Sequence, residues 1–269
     1  MKTKIIADLT SNHLGNFQVL EGMIECLAEC NVNVVKTQSW RADKLRPDIN
    51  NYNENYNYYT NHQLSDKDHI RIKELCDDAG LEMLVTCFDL ERIDFLSTLG
   101  LESIKVASSD AASYRMIETL LDRFNQVIIS TGATTDDELT KTMEICQGRN
   151  VVFLHCVAIY PCPLSHVNMD RMLDLRGKGF RVGYSDHTLG IEAGKYAISL
   201  GAECLEKHFT LNRYLPGRDQ KMSATMEEMK ELTDWAIKVE EMKGIACPAL
   251  TKTDLKFREN YIGKWGDNT

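Results

Sequence analysis

The chain has 269 residues, 43% of them hydrophobic and 26% charged, a balance typical of a folded water-soluble domain with enough core to need no staples. A net charge of −9 and a pI near 5.3 argue against a nucleic-acid-binding face, because neutralising phosphates takes a basic surface. No apolar run approaches the roughly 18 residues of a membrane-spanning helix, and the N-terminus carries no signal-peptide pattern; the expectation is a soluble, cytoplasmic protein that binds neither nucleic acid nor membrane.

In chain order, strand-like runs are expected at Lys4–Leu9, Val32–Gln38, Leu81–Cys87, Ser103–Ala107, Gln126–Ser130, Val151–Cys156, Arg181–Tyr184 and Cys204–Phe209. Helical periodicity falls between them, at Phe17–Cys30, Leu90–Leu99, Met116–Phe124, Glu138–Cys146, Met169–Leu175, Ile191–Leu200 and Met226–Met242. Strands alternating with helices mean βαβ units and a parallel sheet. Eight units predict a closed (β/α)8 TIM barrel, α/β in class, forming one catalytic domain over residues 1–245 with a tail at 246–269. Gly80, Gly100 and Gly201 each stand where a helix ends before a strand, as C-terminal capping glycines do. One connection is long: roughly 25 residues, rich in Asn and Tyr from Asn50 to Tyr59, precede a helix starting near Ser65, and so long a loop beyond a strand end predicts a cover over the barrel mouth. The nine cysteines form no CxxC pair, so buried thiols in a reducing compartment are expected rather than a metal or redox centre.

The strand ends carry the chemistry. In order they offer Asp8, Lys36 with Gln38, Thr86, Lys105 with Ser108, Ser130 with Thr131, His155 with Tyr160 beyond it, Ser185 with His187, and Glu206 with His208. Such groups are costly to bury unpaired, and in a barrel they converge on the mouth where active sites lie. Residues two apart on a strand share a face, so Ser185 and His187 point together, as do Glu206 and His208, while Asp186 and Lys207 point away. Two imidazoles on neighbouring strand ends beside a carboxylate suit a divalent metal. Lys36 and Lys105 with Thr86, Ser108, Ser130 and Ser185 suggest an anion site; ion pairing of the lysines with Asp8 or Glu206 is the alternative. The absence of GxGxxG and GxxxxGK[ST] argues against a dinucleotide or P-loop nucleotide.

Together, Ile-Ile-Ala-Asp-Leu-Thr-Ser-Asn-His-Leu-Gly (5–15), Val-Val-Lys-Thr-Gln (34–38), Ile-Lys-Val-Ala-Ser (104–108) and Ile-Ile-Ser-Thr-Gly (128–132) resemble sialic acid synthase motifs. So do Leu-His-Cys-Val-Ala-Ile-Tyr-Pro (154–161), Gly-Tyr-Ser-Asp-His-Thr-Leu-Gly (183–190), Glu-Lys-His-Phe-Thr-Leu (206–211) and Pro-Gly-Arg-Asp (216–219). The resemblance implies a transferase that condenses phosphoenolpyruvate with an N-acetylmannosamine-like aldose to a 2-keto-3-deoxy sugar acid, releasing phosphate. It implies a metal, Mn²⁺ above all, on His187 and His208. Phosphoenolpyruvate would lie on Lys36, Thr86, Lys105, Ser108, Ser130 and Ser185, while Asp8, Tyr160, Glu206 and Asp219 would handle the sugar or protons. A homodimer is also implied. Three departures stand out: Asp8 where the family has Glu, Ala158 where it has Asn or Ser, and Arg218 in place of a Pro. Typical members continue into a small antifreeze-like domain, and Cys247–Thr269 resembles only the linker to it. Two other readings of the residues are a pyruvate aldolase with a Lys105 Schiff base and a catalytically impaired barrel that senses a sugar acid or phosphoenolpyruvate.

Overall fold

The computed structural model describes residues 3–244 and 250–265. Eight parallel strands close into a barrel in sequence order: β1 (Lys4–Asp8), β2 (Val34–Ser39), β3 (Glu82–Cys87), β4 (Ser103–Val106), β5 (Gln126–Ser130), β6 (Val151–Cys156), β7 (Arg181–Asp186) and β8 (Cys204–His208). Asp8 of β1 stands beside His208 of β8 where the ring closes. The helices are α1 (Phe17–Glu29), α2 (Tyr52–His62), α3 (Asp66–Asp78), α4 (Ile93–Ser97), α5 (Tyr114–Arg123), α6 (Asp136–Ile145), α7 (Asp170–Gly177), α8 (Glu192–Ser199), α9 (Met226–Lys243) and α10 (Lys252–Tyr261). The predicted TIM barrel is therefore the fold.

The twofold alternation of a strand builds two cores. Ile5, Val35, Val85, Ile104, Ile129, Phe153 and Leu205 face outward onto the helices, whereas Ile6, Val34, Leu84, Ile128, Val152, Leu154 and Cys204 fill the barrel's interior. Gly183 makes room inside: a Cβ there would lie 2.3 Å from the Cys204 carbonyl oxygen and 2.7 Å from Leu154. Thr135 and Glu138 form a capping box, as do Thr225 and Glu228, which sets where α6 and α9 begin. Gly80, Gly100 and Gly201 have φ of +69°, +67° and +83°, as capping glycines require.

Three expectations change. The Asn- and Tyr-rich stretch contains helix α2, although none of its residues is buried. Aromatic stacking at i, i+4 compensates for its weak helix formers: Tyr52 on Tyr56 at 5.8 Å and Tyr58 on His62 at 4.3 Å. The helix expected at Leu90–Leu99 is a 3₁₀ turn, Leu90–Arg92, running into the short α4. His155 faces the helices rather than the mouth, its Nε2 2.7 Å from the Val167 carbonyl oxygen, because it alternates with the inward Leu154. The eight described cysteines are free thiols, most of them buried; Cys247 and the boundary expected at 245/246 lie outside the described residues. Among the described residues no helix is long and apolar enough to cross a membrane.

Candidate active site

The inward positions just above the apolar plug end in polar groups, and they surround a cavity of about 310 Å³. Asp8, Lys36, Thr86, Lys105, Ser108, Ser130, Tyr160, Ser185, His187, Glu206 and His208 all line it. Of the site residues expected from sequence, only Asp219 lies off the wall; its charge acts on Tyr58, Tyr160 and His208 from the loop after β8.

Lys36 is the hub. Its ammonium lies 2.7 Å from Asp8 and 3.0 Å from Glu206, with all three side chains buried. The Lys105 ammonium donates to Ser130 Oγ at 2.6 Å and stands 3.7 Å from Glu206, which accepts from Ser185 Oγ at 2.7 Å. The pairing of lysines with Asp8 and Glu206 is thus present in this structure. Two carboxylates and two ammonium groups do not share it equally. Burial raises Glu206, but Lys105 and Lys36 outweigh that and hold its carboxyl below the usual range. Burial raises Asp8 as well; Lys36 opposes the rise, Glu206's charge reinforces it, and Asp8 ends above the usual range. Burial likewise lowers Lys105, with Glu206 only partly restoring it. The Thr10 N–H, 3.0 Å from Asp8 Oδ1, fixes the shorter carboxylate from a residue with φ of 45°.

His187 and His208 face each other with ring centroids 5.4 Å apart. The Val157 carbonyl oxygen, 2.9 Å from His187 Nδ1, assigns the proton there and leaves Nε2 with its lone pair. Burial, reinforced by His187, pushes His208 down to about 3, and burial lowers His187 too, so both rings are neutral at pH 7. His208 Nδ1 is buried without a hydrogen bond. Neutral imidazoles, with His208 Nδ1 unpaired and His187 Nε2 met only by Ser185 Oγ at 3.5 Å, fit a divalent metal. Among the described residues no group of three or more His, Cys, Asp and Glu side chains is arranged to hold one. Tyr160 covers the pair, its ring 4.2 Å from that of His187.

At the opposite wall the hydroxyl of Thr86 is buried without a partner. The Gly132 N–H donates to Ser108 Oγ at 3.1 Å, and a Cβ on Gly132 would come within 2.7 Å of Cys156. Cys156 was not singled out from the sequence, although the parity that turns His155 outward turns Cys156 inward, 3.0 Å from Ser108. Phe88 and Ser109, which line the cavity, carried no signal in their residue type.

Residues 23–247 match the family model described as the NeuB family. The chain belongs to the NeuB family. It is 33% identical to an N,N'-diacetyllegionaminic acid synthase of Legionella pneumophila, over 85% of this chain and 69% of that one. It is 30% identical to the N,N'-diacetyllegionaminic acid synthase of Campylobacter jejuni, over 98% and 85%. Among solved structures it resembles the N-acetylneuraminic acid synthetase of Leptospira borgpetersenii in complex with citrate, with a TM-score of 0.90 at 27% identity, covering 98% of this chain and 93% of that one. This NeuB-family chain is accordingly an enzyme of the sugar-acid synthase type.

Proposed function

We propose that the barrel condenses phosphoenolpyruvate with an N-acylated aminoaldose to give a 2-keto-3-deoxy sugar acid and phosphate. The single observation that carries this is the cavity's polarity: lysines and hydroxyls on one wall, two neutral imidazoles on the other, and Glu206 between them. Lys36, Lys105 and the hydroxyls of Thr86, Ser108, Ser130 and Ser185 bind the phosphate and carboxylate of phosphoenolpyruvate. Two reactants held together in one buried cavity make the encounter effectively intramolecular. C3 of the enol bonds to the aldehyde carbon, whose oxygen takes a proton; water adds at C2, and the tetrahedral carbon expels phosphate to leave the ketone. Asp8, held above its usual range by burial, is suited to supply the proton, and Glu206, kept ionised by its lysines, to receive one from the water. A divalent metal, Mn²⁺ by preference, held by His187 and His208 would supply Lewis-acid polarisation of the aldehyde. Tyr160 and Asp219 border the sugar side. The relatives that make a doubly N-acetylated acid support an acylated aldose.

The test is phosphate release with product mass spectrometry. Release is expected only when phosphoenolpyruvate, the aldose and Mn²⁺ are all present, with loss of about 10³-fold or more in His187→Ala. Full turnover after exhaustive chelation overturns the metal's part. Aldose-independent phosphate release overturns the condensation.

A further inference from the structure

Cys156 ends β6, buried, and does not itself line the catalytic cavity. Its thiol lies 3.0 Å from Ser108 Oγ, its one side-chain hydrogen-bond partner among the described residues, and Ser108 does line the cavity. Ser108 opens the 3₁₀ turn Ser108–Asp110 beyond β4, so the contact joins the ends of two strands that β5 separates. Gly132, just past β5, stands between them and donates its N–H to Ser108 Oγ at 3.1 Å. Only glycine leaves room there: a Cβ would lie 2.7 Å from Cys156 Sγ and 3.0 Å from Ser108 Oγ. Burial raises the thiol above its ordinary range, with Ser108 and Lys105 only partly opposing the rise, so the sulfur keeps its proton at neutral pH.

We infer that Cys156 is a positioning residue for the bound anion: its S–H, donated to Ser108 Oγ, turns the Ser108 hydroxyl proton into the cavity. A serine hydroxyl has one proton to donate and two lone pairs with which to accept. The Gly132 N–H takes one lone pair. With the thiol proton on the other, the Ser108 O–H is left to point at the ligand, where a phosphate or carboxylate oxygen accepts it. In the reverse arrangement Ser108 donates to the sulfur and presents a lone pair to the anion, which repels it. Ala158, whose backbone nitrogen lies 3.4 Å from the same Cβ position on Gly132, has no side-chain donor to take over. The inference rests on the phosphoenolpyruvate reading above, in which Ser108 is one of the anion's donors.

Calorimetric titration of the full chain with phosphoenolpyruvate tests it. Cys156→Ala, which removes the donor, is expected to weaken binding about three- to tenfold, the worth of one hydrogen bond. Cys156→Ser keeps a donor and is expected to bind within about twofold of the parent chain. In a Ser108→Ala background Cys156→Ala is expected to add nothing, because the group it acts through is gone. In turnover the loss falls on the KM for phosphoenolpyruvate and leaves the KM for the aldose unchanged. Cys156→Val, which lacks the donor without leaving a void, is run beside Cys156→Ala and serves in the cycle where the alanine variant loses native circular dichroism. Equal weakening with and without Ser108 overturns the inference. So does a loss in Cys156→Ser matching that of the donorless variants, with native circular dichroism in each. A parent chain that does not bind phosphoenolpyruvate sinks the condensation and this inference with it, whereas binding with additive effects in the cycle sinks the inference alone.

Discussion

His13 shows how a single side chain ties the site to stability. It follows the β1 end, buried, with Nδ1 accepting from the Gly15 N–H and Nε2 without a partner. Burial, aided by His62, pushes it from 6.5 down to about 4. The sign follows from proton uptake. Between pH 6.5 and 4 the unfolded chain binds a proton there that the folded barrel refuses, so stability present above pH 6.5 is lost as pH falls through that window. The loss is on the order of 3 kcal/mol. Urea unfolding at pH 7 and pH 4.5 should show it, and His13→Gln should shrink the difference between the two. At this scale the sequence was legible where parity applied: Ser185, His187, Glu206 and His208 all point inward as their spacing requires. His155 was misplaced because position near a strand end says nothing of which face a residue takes; only its register against Leu154 does.

Among the elements, α2 is the one whose form the composition concealed. Asn and Tyr are poor helix formers, and the helix exists because stacked rings and a neighbouring loop support it. Arg218, where the resembling family has Pro, lies on that loop. Its guanidinium sits 3.8 Å from the centre of the Tyr58 ring and donates to Asn55 Oδ1 at 3.0 Å. Removing this tie should cost α2 about 1 kcal/mol of local stability. Arg218→Ala should therefore speed chymotrypsin cleavage among Tyr52–Tyr59 several-fold, while the urea midpoint of the whole chain stays within error. An unchanged cleavage rate would show that α2 is held by its own stacking alone.

For the molecule as a whole, the barrel's outer layer hides a second buried ion pair. Lys207 donates to Asp186 at 3.0 Å and to the Thr188 carbonyl oxygen at 2.6 Å, with both side chains fully buried. These residues alternate with Ser185, His187, Glu206 and His208, so the pair braces β7 and β8 behind the imidazoles. Lys207→Met leaves a buried carboxylate without its counter-ion and should cost about 3–5 kcal/mol in urea unfolding. The double variant Asp186→Leu with Lys207→Met should recover much of that loss, because no buried charge is then left unpaired.

By itself, the sequence determined the eightfold alternation, the barrel and the inward sets at its C-terminal ends, because hydrophobic periodicity and twofold strand parity are local properties. It also carried the motifs of the family. What only the tertiary structure decided depends on residues far apart in the chain meeting across the ring: Lys36 shared between Asp8 and Glu206, and Asp219 standing off the wall. Closure of β1 against β8 brings Asp8 beside His208, and no local pattern encodes that proximity.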